Sequence, residues 1–417
     1  MDDLMGATHI RDIDYYLEDD ATYSHLTDNN LRNPDNIVGE GERYGYDYRL
    51  GRIGLKLYSS VAWSINNFDF WVGAQMTPEH IWRRGYFEKE LFPGEGSYGR
   101  SNVVRFNPYR ANLSVGYAIA TGHHIRVSAL AANALPEAED MFLNPQYNNR
   151  VVDNPGAERW LASEAEYKFT SAKADVIVTA YYNSTRNGRR TMRLYDDLSR
   201  RYCDVDISRL GTIAYGVEMA AELRFTPSLR ASLSAAAGRY IFADNPLVTH
   251  YDDKDNSVVS ASSVSYMGDC YVGGAPQLSA AAELTYLNYR GWIASLGAQM
   301  AAERYVEPSV IRRTERVAIQ GSTSEEIYHR FVEQRRLDDA ITVDASLSRW
   351  FNVGHSRLSL TLSVRNLLGS RDIVYGGYES SRIRNYMSGA QRIYLPQDDV
   401  LTYAYPRTFY GVISWKF

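Results

Sequence analysis

Long apolar runs are missing from this chain of 417 residues. No stretch of about eighteen apolar residues occurs, which excludes a protein that crosses a membrane by helices. A leader is missing too: Met1 is followed by Asp2 and Asp3, with neither a basic start nor an apolar core. The chain is therefore either a soluble cytoplasmic protein or one that lacks its N-terminal part. Fixed-period repeats are absent, which excludes a β-solenoid or a propeller. Charge of one sign is not in excess either. The formal net charge is −5 with 45% hydrophobic residues, so neither disorder nor nucleic-acid binding is indicated. No serine stands in a Gly-x-Ser-x-Gly setting, and the eight histidines are scattered, so no catalytic residues are assigned and an enzyme is not expected.

What the chain does have is period-two alternation. Leu358, Leu360, Leu362 and Val364 alternate with Arg357, Ser359, Thr361, Ser363 and Arg365. Ile213, Tyr215, Val217, Met219, Ala221, Leu223 and Phe225 alternate with Thr212, Glu218, Glu222 and Arg224 among others. Several such runs exceed the five to six residues of a usual strand and reach the nine to eleven that span a bilayer. Charged residues on the second face call for a wet interior, not a dry sandwich core. The mean hydropathy of −0.39 fits, because half of each such strand faces lumen or water. Tyrosine, at 33 residues against 7 Trp and 13 Phe, suits the aromatic girdles of a membrane-spanning wall.

The connections alternate between short and long. Ile65-Asn66-Asn67-Phe68, Ala120-Thr121-Gly122-His123, Phe225-Thr226-Pro227-Ser228 and Asn288-Tyr289-Arg290-Gly291 read as tight turns. Between them lie polar stretches of roughly twenty to thirty residues, far above the usual length. This is the pattern of an outer-membrane β-barrel, with short periplasmic turns and long extracellular loops. About thirteen antiparallel strands are expected, at 48–64, 68–77, 104–119, 123–133, 158–170, 173–185, 210–225, 229–242, 272–287, 291–305, 337–350, 356–367 and 404–417. Residues 1–47 are read as an extracellular loop segment and 48–417 as one partial transmembrane barrel. Single-chain bacterial barrels have even strand numbers with both ends inside, so upstream strands are expected to be missing.

The last strands carry a resemblance. The chain ends Pro406-Arg407-Thr408-Phe409-Tyr410-Gly411-Val412-Ile413-Ser414-Trp415-Lys416-Phe417, similar to the assembly signal of outer-membrane proteins. Ser363-Val364-Arg365-Asn366-Leu367-Leu368-Gly369, followed by Gly376-Gly377-Tyr378-Glu379, resembles the penultimate strand and next loop of TonB-dependent receptors, closest to those of the Bacteroidetes type. Gly274-Ala275-Pro276, Arg312-Arg313-Thr314 and Leu143-Asn144-Pro145 look familiar in the same sense. The resemblance implies a 22-stranded barrel, of which this chain would supply about thirteen strands, with neither the plug nor the TonB box. It implies outer-membrane uptake of a scarce, bulky nutrient: an iron chelate, haem, a cobalamin or a glycan. The implied partners are outer-membrane lipid and lipopolysaccharide, the missing N-terminal barrel and plug, the TonB complex through that plug, and the small nutrient ligand. No nucleic acid and no cofactor are implied. A complete smaller barrel acting as a passive pore is the alternative.

The sequence does not assign ligand-binding residues, and it gives no metal site. His123-His124 at a turn lacks further ligands. Asp252-Asp253-Lys254-Asp255-Asn256 lacks the sharp-turn glycine and distal glutamate of a calcium loop. The acidic residues Asp12, Asp14, Glu18, Asp19 and Asp20 read as a solvated start. The doublets Arg189-Arg190, Arg200-Arg201, Arg312-Arg313 and Arg335-Arg336 could meet lipopolysaccharide phosphates or pair with carboxylates within the loops. Loop aromatics (Tyr86, Phe87, Phe92, Tyr98, Tyr195, Tyr202, Tyr251, Tyr375, Tyr378) could stack on a ligand or pack loop on loop. Trp63, Trp160, Trp292 and Trp415 fall near strand ends and read as interface anchors. Cys203 and Cys270, in or beside neighbouring long loops, are either one disulfide or two thiols.

Overall fold

The computed structural model describes residues 9–18, 20–319, 321–322 and 324–417. Met1, Asp2, Asp3 and Asp19 lie outside the described residues. Alternation becomes a wall. An antiparallel sheet of fifteen strands contains thirteen that run as one unbroken meander. These are β1 (Leu57–Ile65), β2 (Phe68–Met76), β3 (Tyr109–Ala120), β4 (His123–Ala134), β5 (Glu158–Thr170), β6 (Ala174–Asp196), β7 (Arg201–Thr226), β8 (Leu229–Phe242), β9 (Leu278–Leu287), β10 (Trp292–Ala302), β11 (Ala340–Val353), β12 (Ser356–Arg365) and β13 (Thr408–Lys416). Each pairs antiparallel with the next, while among the described residues β1 and β13 are each paired on one side only.

The two faces differ as the alternation requires. On β12 and β13, Leu358 faces Trp415, Leu360 faces Ile413, and Val364 faces Phe409 across the ladder. This face is open: Leu362 is 59% and Ile413 77% exposed. An apolar surface this continuous is unstable in water and suits lipid. At the short-turn rim the same face carries an aromatic belt. Trp63 stacks on Phe70 at 5.1 Å, Phe68 lies 4.5 Å from Tyr117, and Trp292, Phe351 and Trp415 continue the series. The opposite, concave face is polar. Ser295 and Ser346 share a hydrogen bond of 2.8 Å, and Ser348 and Thr361 one of 2.9 Å.

The short turns work by local backbone chemistry. Asn66 takes φ +53° at the β1–β2 turn, a conformation asparagine tolerates. Gly122 takes φ +79° at the β3–β4 turn, and a Cβ there would stand 2.3 Å from the Thr170 carbonyl oxygen, so only glycine fits.

The expected segment 48–64 is split. Tyr48–Gly54 leaves the wall and pairs with Glu79–Gly85, which also pairs with Gly99–Arg100 and Val104–Phe106. The backbone turns at Leu55, whose amide donates to the Pro78 carbonyl at 3.1 Å. Strands β6 and β7 run well past the expected 185 and 210, because their outer halves continue as a ladder above the wall.

Candidate functional site

The long connections fold together into a lobe on one rim of the wall, and the buried apolar clusters of the described residues lie there. Cys203, Val205 and Ile207 of the β7 extension pack with Val248 and Ile311. Ile81 and Val104 pack with Met141 and Phe142. Val317 and Ala318 pack with Phe331 and Ile383. The lobe therefore has cores of its own, while the wall exposes its apolar rows to lipid.

The lobe also buries charge. Asp204 and Asp206 alternate with the core residues of β7 and are covered as well. Burial pushes the Asp204 carboxyl up to about 7, although Asn144 Nδ2 donates to it at 3.2 Å and Arg193 lies near. Burial pushes Asp206 up to about 6, with Arg189 3.4 Å away. Arg193 pairs with Asp253 and lies over the Tyr147 ring at 5.1 Å. On the other face of this ladder His250 stands opposite Val205, near Asp196 and Arg316, and burial lowers it to about 4. Neither of its ring nitrogens meets a hydrogen-bonding partner among the described residues.

Residues 9–18 and 20–47 dock on this lobe by polar contacts. The Leu31 amide donates to the Glu88 carbonyl at 2.8 Å. Lys89, buried in the lobe, donates to Asn29 Oδ1 at 2.6 Å and to the Gly45 carbonyl; burial lowers its ammonium to about 8. Lys254 pairs with Asp20, and Tyr16 meets Tyr202 edge-on at 5.4 Å. Arg83 ties its own connection to the one after β4 by donating to the Ser97 carbonyl at 2.7 Å, Asn149 Oδ1 at 2.6 Å and the Pro145 carbonyl at 2.6 Å.

The connection after β10 is locked to the connection after β12 by a fully buried ion pair. Arg313 Nη2 donates to Glu379 Oε1 at 2.7 Å, and Nη1 pairs with Oε2. Glu379 Oε2 also accepts the Ser309 amide at 2.9 Å. Beside it, Arg312 stands 3.3 Å from Asp399. Thr314 caps the short helix Glu315–Ala318 by accepting the Val317 amide.

A lipid-facing meander, a polar concave face and a thick outer lobe on the long-connection rim together define the architecture. The chain has the fold of the TonB-dependent outer-membrane receptors. The ferric yersiniabactin uptake receptor FyuA of Yersinia pestis matches with a TM-score of 0.52 and 16% identity, over 88% of this chain and 46% of that one. The ferric-catecholate import receptor Fiu of E. coli K12 gives a TM-score of 0.55 and 12% identity, over 92% of this chain and 47% of that one. The siderophore receptor PiuA of Acinetobacter baumannii gives a TM-score of 0.56 and 12% identity, over 89% and 44%. The chain thus spans about half the length of these receptors, and the likeness at this identity is one of fold. No protein-family model and no curated protein sequence matches it. In this fold the short turns are periplasmic and the lobe is extracellular, at an outer membrane.

The extracellular lobe accounts for many of the residues singled out in the sequence. Six of the eight doublet arginines pair within it: Arg189 with Asp206, Arg201 with Asp252, Arg312 and Arg335 with Asp399, Arg313 with Glu379, and Arg336 with Asp339. The loop aromatics mostly pack on neighbours. Arg32 covers Tyr98, Arg49 and Arg84 approach Tyr86, Arg382 covers Tyr195, and Arg150 covers Tyr251. Tyr375 and Tyr378 stay open, at 73% and 56% exposed. Asp252 and Asp253 are engaged by Arg201 and Arg193, so this run is an ion-paired turn. His123 packs on Phe169 at 4.7 Å and bonds Tyr167 at 2.8 Å, while His124 faces Lys168 across the ladder. Cys203 and Cys270 are both free thiols: Cys203 lies in the β7 core, and Cys270 follows Met267 in a turn near Arg313. Lys89 and Arg83 were not legible as lobe anchors, because nothing local separates them from solvated loop cations.

Proposed function

We propose that this chain is the C-terminal barrel part of an outer-membrane TonB-dependent receptor for a scarce, bulky nutrient. An iron chelate, haem, a cobalamin or a glycan is the substrate class. The observation that carries this reading is a membrane wall topped by an extracellular lobe with its own cores, shared in fold with uptake receptors over about nine-tenths of the chain. The proposal assigns residues 1–47 to the extracellular surface and 48–417 to the barrel. The remaining strands and the plug are supplied from outside this chain, and the TonB complex acts through that plug. Chemistry in the covalent sense is not required: ligand is held by loops and released inward by plug rearrangement.

The test is uptake by cells expressing the complete receptor, using labelled ferric chelates, haem, cobalamin and oligosaccharides in turn. Uptake of one of these is expected to stop when the proton gradient is collapsed, and to fall when Tyr375 and Tyr378 are replaced by alanine. Ion conductance with uptake indifferent to the gradient would mean a passive pore and would overturn the reading.

A further inference from the structure

We propose that an outward groove at the periplasmic rim, between β10, β11, β12 and β13, holds one membrane phospholipid, with Arg349 on its phosphodiester and an acyl chain lying over Gly411. From the short-turn rim to mid-height, the described outward rows are apolar, aromatic, hydroxyl-bearing or, at His123, imidazole, with one charged exception. That exception is Arg349, in the outward row Leu347, Arg349, Phe351 of β11. Trp292 stands opposite on β10 and Leu360 opposite on β12. The Trp292 and Phe351 rings each lie 4.6 Å from the guanidinium. Its Nε is buried without a hydrogen-bonding partner, and it makes no ion pair among the described residues.

A cation on the lipid face is destabilising unless it reaches the interface or an anion. The aromatic sandwich holds this one at the level of the belt, where lipid phosphates lie. Guanidinium presents a planar fork that matches two phosphate oxygens. The groove continues from Arg349 toward mid-membrane between Leu347, Leu362 and Ile413, as a hollow of about 510 Å³. Gly411 lies on its floor, and a Cβ there would meet nothing within 4 Å. Head and tail thus have separate places: phosphate at the belt, chain in the apolar hollow. A free phosphate ion would use only the first.

Native mass spectrometry of the detergent-purified receptor with phosphatidylglycerol tests this. The protein is expected to retain one phosphatidylglycerol and not diacylglycerol, which has the chains without the phosphate. Arg349→Gln is expected to weaken retention about tenfold, the loss of one charge-assisted contact. Arg349→Lys keeps the charge and most of the lipid. Gly411→Leu, which fills the hollow with Arg349 intact, is expected to weaken retention as well. Heat-modifiable gel mobility shows that each variant is folded. Equal retention by Arg349→Gln, or retention of diacylglycerol, would reduce the site to a greasy groove and overturn the proposal. Displacement of the lipid by millimolar inorganic phosphate would make it an ion site and overturn it equally.

Discussion

Breaking the Arg313–Glu379 pair from one side is expected to loosen the extracellular lobe far more than removing both partners. The two side chains are 0% and 1% exposed, so neither charge is compensated by water. Glu379→Ala leaves a buried guanidinium with no anion, only the Val332 carbonyl, which Nη2 meets at 3.1 Å, and the Cys270 thiol beside it. An uncompensated buried charge of this kind typically costs about 3–5 kcal/mol. Arg313→Met strands the carboxylate at a similar cost. The double variant, Arg313→Met with Glu379→Leu, removes both charges and keeps most of the volume. Its residual cost is about 1–3 kcal/mol, for the Ser309 amide left without an acceptor. The pair should also be indifferent to salt, because a fully buried contact is little screened.

Hydrogen exchange over residues 306–313 and 374–382 reads this directly. Each single variant is expected to lose protection in both segments together, while exchange in β12 and β13 stays as it was. The double variant is expected to recover most of the protection. If the double variant opened as far as either single variant, the lock would be one of shape and the electrostatic argument would fail.

Three other perturbations test separate parts of the structure. Burial raises Asp204 from the usual carboxylate value to about 7, so the folded lobe holds that proton to higher pH than the unfolded chain does. Its contribution is therefore lost as pH rises toward 7, and Asp204→Asn should match the parent near pH 4 yet exceed it increasingly up to about pH 8; equal protection at every pH would contradict this. Leu362→Arg places a charge on the open apolar face and should cost about 2–4 kcal/mol in lipid, whereas Thr361→Lys on the concave face should be tolerated; equal urea midpoints in vesicles would mean the faces are misassigned. Gly216→Ala should disturb the β7–β8 ladder, because a Cβ there would stand 2.4 Å from the Ala237 carbonyl oxygen and 2.9 Å from the Tyr181 hydroxyl, and unchanged heat-modifiable mobility would argue against it.

The wall was legible because each of its faces meets one solvent throughout. Apolar and polar residues then alternate, as on Leu358 to Arg365, and the expected ranges 158–170 and 229–242 coincide with β5 and β8. The lobe was not legible for the converse reason. Cys203, Val205 and Ile207 alternate with Asp204 and Asp206 as cleanly as any wall strand, yet both rows are buried. A run with two aspartates just after an Arg doublet reads as a solvated loop, since a sequence does not say which carboxylates find a cation. The same ambiguity left the arginine doublets open between lipopolysaccharide and loop pairing. Distances to Asp206, Asp252, Asp399 and Glu379 favour the pairing.

Several of the motifs that gave the resemblance share a physical role. Arg313 and Glu379 form the buried lock, and Asn144 and the Pro145 carbonyl hold Asp204 and Arg83. Asn366, at φ +52°, ends β12 and closes its turn by exchanging hydrogen bonds with Ser370 at 2.8 and 3.1 Å. All of these side chains hold loops to loops or strand to turn. Residues engaged in this way are poorly placed to read a ligand, because changing them would unfold the lobe before it changed a preference. Under the proposed receptor role, specificity must then rest on side chains the lobe leaves open. Tyr375, Tyr378, Tyr386 and Met387, each at least half exposed on the hairpins that follow β12, are such side chains, and these hairpins can vary without loosening the lock beneath them.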